Sequence, residues 1–480
     1  MDAKDVVFVL GGWAHARGPL YQRLARAVRD AIRRGDIGAP ARLPSERDLA
    51  RTLGVSRTTV VSAYRVLRDE GLVESARGSG TRVSPSKVAG ASMPPVVTPT
   101  LRLLGDPTDG VVDCSSSAVA SVEGLRDDLL RVESPDVRRL AEGSPYEPLG
   151  LPGLRAAIAG RYRALGLPTD PDEILVTTGA QQAVELLFTF FGRDRGAIVV
   201  ENPTYAGALD AARAAGARVI GVDTGDEGVR LAELRDKLER FPVRLAYLMT
   251  RCHNPTGGVM DDAGRRAVAR LAARAGAPVV DDMTMSDLVF DARPRSLLAS
   301  SGGDNVVTIG SFSKLFWPGL RVGWVRASRP LIGRLARMKV VADLGSSQLS
   351  QLVAERLVGE TDSFAAVRRS QLSQRLELVA ALLRRELPEW SFVPPRGGPF
   401  LWARLPHGDA DAFAAVALSH GVRVLSGRRM SPDDSTAGHV RISFVAEPDA
   451  LRVAVARLRA AWDAFDGSGA AERVPVQVVV

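Results

Sequence analysis

The sequence predicts a two-part α/β chain: a small basic N-terminal domain of three short helices and a two-strand wing, then a large domain on a mostly parallel central sheet. Three observations carry this. Helical apolar spacing broken by glycines divides residues 20–84 into short elements. Residues 85–112 hold Pro85, Pro94, Pro95, Pro99 and Pro107 and have no clear period, which is a linker composition. From about Asp113 onwards short β-branched runs alternate with helical segments, as in a sheet covered on both faces.

In the first helix Leu24, Ala27, Val28, Ala31 and Ile32 recur at three and four, with Arg23, Arg26, Arg29 and Arg33 opposite, and Gly35 ends it. Ser45 caps a second, very short helix with acids in its first turn, which runs to Leu53 before Gly54. Ser56 caps a third, with Val60, Ala63, Tyr64, Val66 and Leu67 as its buried stripe and Gly71 as its stop. Leu72–Glu74 and Thr81–Val83 read as strands joined by a turn rich in glycine and serine. In the large domain the strand runs include Ile174–Thr177, Ala197–Val200, Arg218–Val222, Leu245–Met249, Pro278–Val280 and Val306–Ile309. The expected division is therefore 15–84, a linker at 85–112, and 113–465.

Composition removes several classes. The 480 residues, 45% of them hydrophobic, supply more than one core, and Cys114 and Cys252 stand alone, with no pattern for zinc, a redox pair or a disulfide scaffold. None of the five histidines suggests a metal site. No apolar run reaches the roughly 18–20 residues of a membrane helix, and the start lacks a basic segment before Val6–Leu10, so a soluble cytoplasmic protein is expected. Residues 1–84 carry 15 Lys+Arg against 9 Asp+Glu, most of the chain's net +8.

The basic end has the order of a DNA reader. Two helices across a tight Gly54-Val55 turn make a helix-turn-helix, and the third helix begins Ser56-Arg57-Thr58-Thr59, where an arginine and small hydroxyls can enter a major groove. Arg57 is the expected base reader, Ser45 and Arg47 the expected phosphate contacts, and Arg77 and Gly78 the wing tip that lies along a minor groove. Each arginine taken alone favours the plainer reading of a solvated surface charge, and the order of elements weighs against it. The stretch Pro19-Leu20-Tyr21, Leu43-Pro44-Ser45-Glu46-Arg47, Val55-Ser56-Arg57-Thr58-Thr59-Val60 and Gly71-Leu72 resembles the winged helix-turn-helix of GntR-type bacterial regulators.

A second constellation lies at Ser311-Phe312-Ser313-Lys314-Leu315-Phe316-Trp317-Pro318-Gly319-Leu320-Arg321-Val322-Gly323-Trp324. A lysine among hydroxyls, with an arginine seven residues on, suits a phosphorylated aldehyde: an amine for the carbonyl, and hydroxyls and a guanidinium for the phosphate. The run resembles the cofactor-lysine segment of fold-type I aminotransferases, which implies pyridoxal 5′-phosphate (PLP) joined to Lys314 as a Schiff base. Thr178-Gly179-Ala180-Gln181-Gln182 follows a strand and opens a helix, offering backbone amides and a dipole to the phosphate. Asn202-Pro203-Thr204-Tyr205 resembles the segment whose aromatic ring stacks on the pyridine, and His253-Asn254-Pro255-Thr256-Gly257 the one whose Asn donates to the ring hydroxyl. Without the resemblance these three segments read as a capped helix start, core packing and a turn.

An acid must face the pyridine nitrogen. Asp281 and Asp282 follow the run Pro278–Val280 and point to opposite faces, so one can serve; alignment on the family pattern around Asp287-Leu288 selects Asp282 and leaves Asp281 solvated or paired. The tyrosine the family usually has shortly after this aspartate is replaced by Met283 and Thr284. Downstream of Arg396-Gly397-Gly398-Pro399-Phe400-Leu401-Trp402, Arg441 resembles the arginine that pairs with a substrate or effector carboxylate, and Tyr146 a residue that reaches the partner subunit's phosphate.

A GntR-like reader before an aminotransferase-like body is the arrangement of the MocR regulators. That resemblance implies a homodimeric transcription regulator that binds operator DNA and PLP and senses PLP, an amine or an amino acid. An aminotransferase that carries a DNA-binding domain, and a regulator whose body is only a dimerisation scaffold, are the other two readings.

Overall fold

The computed structural model describes residues 19–33, 41–76, 80–84, 110–118, 130–291 and 296–465, with Val6, Leu10 and Ile37 besides. The N-terminal domain contains helices α1 (Leu20–Arg33), α2 (Glu46–Leu53) and α3 (Arg57–Asp69), and a hairpin of β1 (Val73–Ala76) and β2 (Gly80–Val83). Both expected caps form. Ser45 accepts from the Asp48 amide, Ser56 accepts from the Thr59 amide, and Gly54 closes α2 in the left-handed region at φ +65°. Leu24, Val28, Leu49, Val60, Tyr64 and Leu67 pack into one core, and the Tyr64 hydroxyl donates to Pro44 O at 3.0 Å. Gly35, Arg77, Gly78 and nearly all of the expected linker lie outside the described residues.

The large domain holds an eight-stranded sheet: β4 (Ile174–Thr177), β5 (Ala197–Asn202), β6 (Arg218–Gly225), β7 (Gly228–Val229), β8 (Val243–Leu248), β9 (Val279–Asp282), β10 (Val306–Ser311) and β11 (Gly323–Arg326). The order is β4-β11-β10-β9-β8-β5-β6-β7. Strands β10, β9, β8, β5 and β6 run parallel, whereas β11 is antiparallel between β10 and β4. Alternate residues feed two cores. Val199, Leu248 and Val279 face one, and Ile198, Tyr247 and Val280 the other, which explains why these strands read as continuous apolar runs.

Two expectations shift here. Strand β9 continues through Asp281 and Asp282 instead of ending before them; Asp281, expected to be solvated or paired, is buried and hydrogen-bonded. The body begins inside the expected linker, because Val112 already pairs with Val422 in the two-residue strands β3 (Val112–Asp113) and β14 (Val422–Arg423). A pair that short leaves no period in a sequence. A second antiparallel sheet joins β12 (Ser391–Phe392), β13 (Phe400–Arg404), β16 (His439–Ser443) and β15 (Leu425–Ser426).

Candidate functional site

The parallel strands end on one side of the sheet, where open α/β folds place their ligands. A cavity of about 1070 Å³, counting its open mouth, is lined there by Ala180, Gln181, Tyr205, Asn254, Asp282, Ser311, Ser313, Lys314, Arg321 and Arg441. These ten expected residues come from six separate stretches of sequence. Gly179 stands beside them as the residue before α4 (Ala180–Phe191).

Gly179 adopts φ +82°, and a Cβ there would lie 2.8 Å from Arg321 Nη2. Only a bare backbone lets the guanidinium approach the helix N-terminus, and that pairing of cation and free amides makes an anion cradle. Arg321, itself left-handed at φ +53°, donates to Thr178 O at 2.9 Å. The Ser311 hydroxyl donates to Ser313 Oγ at 3.1 Å at the end of β10.

Asp282 closes β9 with its carboxylate in the cavity wall. Tyr247 donates to its Oδ2 at 2.5 Å, and the Thr284 amide donates to Oδ1 at 2.9 Å. Thr284, in the segment where the family usually supplies a tyrosine, thus braces the acid, as does a tyrosine from β8 that sequence reading did not single out. Asp281 points the other way and accepts from Thr250 Oγ1 at 2.9 Å. Behind them Glu201 is buried, and burial raises its carboxyl well above the usual range. Its neighbour His253, whose Nε2 is 3.6 Å away, is held neutral by burial, its pKa lowered to about 3.

Burial first, then the charges of Arg441 and Arg321, lower the Lys314 pKa to about 8 against the pull of Asp282. Lys314 Nζ donates to Ser117 Oγ at 2.6 Å. Arg441, buried over the Phe400 ring, donates to Asn254 Oδ1 at 2.9 Å and to Ser115 O. Among the described residues its Nε has no hydrogen-bond partner, and burial lowers its pKa to about 9. With Asn254 Oδ1 engaged, the amide nitrogen is the end left to donate into the cavity.

Ser115, Ser116 and Ser117 also line the cavity, and sequence reading missed them. The run of three serines beside the linker was the available signal. Tyr146 is 59% exposed and does not line its own chain's cavity.

In the DNA-reading half, Ser45 and Arg47 are exposed at the start of α2, Ser56, Arg57 and Thr58 are exposed at the start of α3, and Thr59 is half-buried. The Ser56 hydroxyl lies 2.9 Å from Thr58 Oγ1 and 2.8 Å from Thr59 Oγ1. Ser45 spends its hydroxyl on Asp48 Oδ2 at 2.6 Å. Arg82 in strand β2 of the wing, and Arg42, bridged antiparallel to it, are exposed basic groups that sequence reading passed over. Among the described residues no cluster of His, Cys, Asp and Glu could hold a metal ion, and no helix is long and apolar enough to cross a membrane.

The two halves define a class: a DNA-binding regulator whose large domain is an aminotransferase-like body. Residues 20–83 match the model of bacterial regulatory proteins of the gntR family, and residues 141–458 that of aminotransferase class I and II. The chain belongs to the GntR regulators fused to a class I and II aminotransferase domain, a group that includes MocR. It is 30% identical to the uncharacterized HTH-type transcriptional regulator YisV of Bacillus subtilis, over 80% of this chain and 84% of that one. It is 28% identical to the probable rhizopine catabolism regulatory protein MocR of Rhizobium meliloti, over 94% and 95%. Among solved structures it resembles LysN, the α-aminoadipate aminotransferase of Thermus thermophilus, with a TM-score of 0.67, 28% identity and coverage of 74% of this chain and 92% of that one. That structure is a complex with N-(5′-phosphopyridoxyl)-L-leucine. The cofactor class that follows from the family is PLP, and the bare-backbone anion cradle, the recessed amine and the braced carboxylate fit it.

Proposed function

We propose that this regulator's DNA binding responds to PLP and to an amine or amino acid effector, and that it acts as a homodimer. One observation carries the reading. Lys314 and Arg441, the residues suited to an aldehyde and a carboxylate, both hold the strap Ser115–Ser117, the end of the described segment that follows the connector from the DNA-reading domain. Arg321, Ser311, Ser313 and the amides of Ala180 and Gln181 would hold the phosphate, Tyr205 would pack on the ring and Asn254 would donate to its hydroxyl. Asp282 keeps a proton on the pyridine nitrogen. The cofactor supplies an aldehyde for amines and an electron-withdrawing ring. Arg441 takes the effector carboxylate, and in doing so competes with its bond to Ser115 O.

An effector changes DNA binding only if it prefers one arrangement of the chain. Ligands that draw Lys314 and Arg441 away from the strap meet that condition. Arg57 reads a base, while Ser45, Arg47, Ser56, Thr58, Thr59 and the wing residues Arg77 and Gly78 contact the DNA around it. The test is binding of the full chain to DNA from upstream of its own gene, at fixed salt, in apo and PLP-loaded forms and with a panel of amines and amino acids. Affinity that changes with PLP and again with an effector is expected. Specific binding indifferent to both would leave the body a scaffold. The complete set of Lys314, Asp282, Asn254 and Arg441 also admits an aminotransferase, and steady release of a keto acid, unrelated to DNA, would select that reading.

A further inference from the structure

Helix α3 presents a stripe of exposed residues, Arg57, Thr58, Val61, Arg65 and Arg68, opposite its buried Val60, Ala63, Tyr64 and Leu67. Val61 is the exception among them: an apolar side chain, 42% exposed, one turn from Arg57 on one side and Arg65 on the other. Local stability does not explain it, since a β-branched residue on a helix surface is a poorer helix former than alanine or the flanking arginines. Core packing does not explain it either, because the neighbouring Val60 is the residue that enters the core.

We propose that Val61 is a specificity determinant that contacts the C5-methyl group of a thymine in each half-site. The inference rests on α3 being the base-reading helix. In a major groove each base pair shows a distinct edge, and thymine alone among the four bases presents a methyl group there. An arginine can pair with guanine O6 and N7, whereas an aliphatic side chain has nothing polar to offer and gains only by covering apolar surface. Val61 stands about 6 Å along the helix axis from Arg57, the length of about two base-pair steps. The structure therefore pairs a guanine reader with a methyl reader on one stripe.

The experiment uses the full chain. A random duplex pool is selected for binding, and each thymine of the enriched sequence is then replaced by deoxyuridine, which removes the methyl and leaves the base pair intact. One thymine per half-site is expected to lose about fourfold in affinity on replacement, the worth of one buried methyl. Val61→Ala, which keeps only its Cβ methyl, is expected to shrink the thymine-over-uracil preference; as an exposed helix position it keeps its fold, and the uracil series on the unaltered protein does not depend on that variant. Indifference of the unaltered protein to every uracil replacement would overturn the proposal while leaving the DNA-reading role intact. A methyl preference of undiminished size in Val61→Ala would overturn it too. A pool with no enriched sequence would overturn the base-reading role of α3 and this inference together.

Discussion

Arg441 joins Asn254, the strap and the open cavity in one side chain, so its removal separates two functions. Arg441→Ala should weaken carboxylate-bearing effectors tenfold to about a hundredfold, the worth of a charge-assisted pair of about 1.5–3 kcal/mol, while PLP still binds; titration of the cofactor absorbance with amino acids measures it. Retained effector affinity would remove Arg441 from the site. The same variant bears on Lys314. With a pKa near 8 instead of 10.5, the neutral amine grows about tenfold per pH unit up to about pH 8 and then levels. The rate of PLP uptake by the apo-protein should follow that curve, and because Arg441 is one of the charges lowering this pKa, Arg441→Ala should move the plateau to higher pH. A rate still climbing toward pH 10.5 in the unaltered protein would contradict the recessed amine. The cavity residues carried by local runs, such as Ser311 to Arg321, were legible in the sequence. Tyr247 was not, because its importance lies in what it touches across 35 residues, and Ser115–Ser117 left only a run of serines as a signal, their partner Lys314 lying nearly 200 residues away.

Helix α3 is positioned by its ends as much as by its buried stripe. Ser56 satisfies the Thr59 amide and aligns the Thr58 and Thr59 hydroxyls at the turn. Ser56→Ala should cost about 1 kcal/mol, seen as about fivefold faster hydrogen exchange in the first turns of α3 with no change in β5. Gly54→Ala has no steric neighbour within 4 Å, so its penalty is the left-handed backbone alone, about 1–2 kcal/mol, and the same exchange measurement should register it. Unchanged protection in both variants would mean that the tertiary core, not the caps, sets the junction where α2 ends and α3 begins. These elements were readable because caps and glycine stops are local chemistry. The central strands were readable because burial on both faces leaves mostly apolar residues, with the acids at the ends of β5 and β9. Strand order was not: β11 lies antiparallel between β10 and β4, pairing Gly323 with Thr177 across a separation that no period records.

Across the whole molecule, the reader and the body communicate only to the extent that one biases the other, and that bias must run both ways. If an effector changes operator affinity by some factor, operator DNA changes effector affinity by the same factor, because the two bindings close a thermodynamic cycle. The strap makes this measurable: Lys314 and Arg441 bond to Ser117 and Ser115 when the strap is docked, and a ligand that occupies both residues competes for those bonds. Effector affinity should therefore be titrated through the cofactor's absorbance with and without saturating operator, and operator affinity with and without saturating effector, at one salt concentration. Ser117→Ala removes one of the competing bonds, so it should tighten cofactor binding and reduce the coupling factor in both directions equally. A change confined to one direction would show that the two titrations report different events. Coupling that survives unaltered in Ser117→Ala would move the communication to another path between body and DNA.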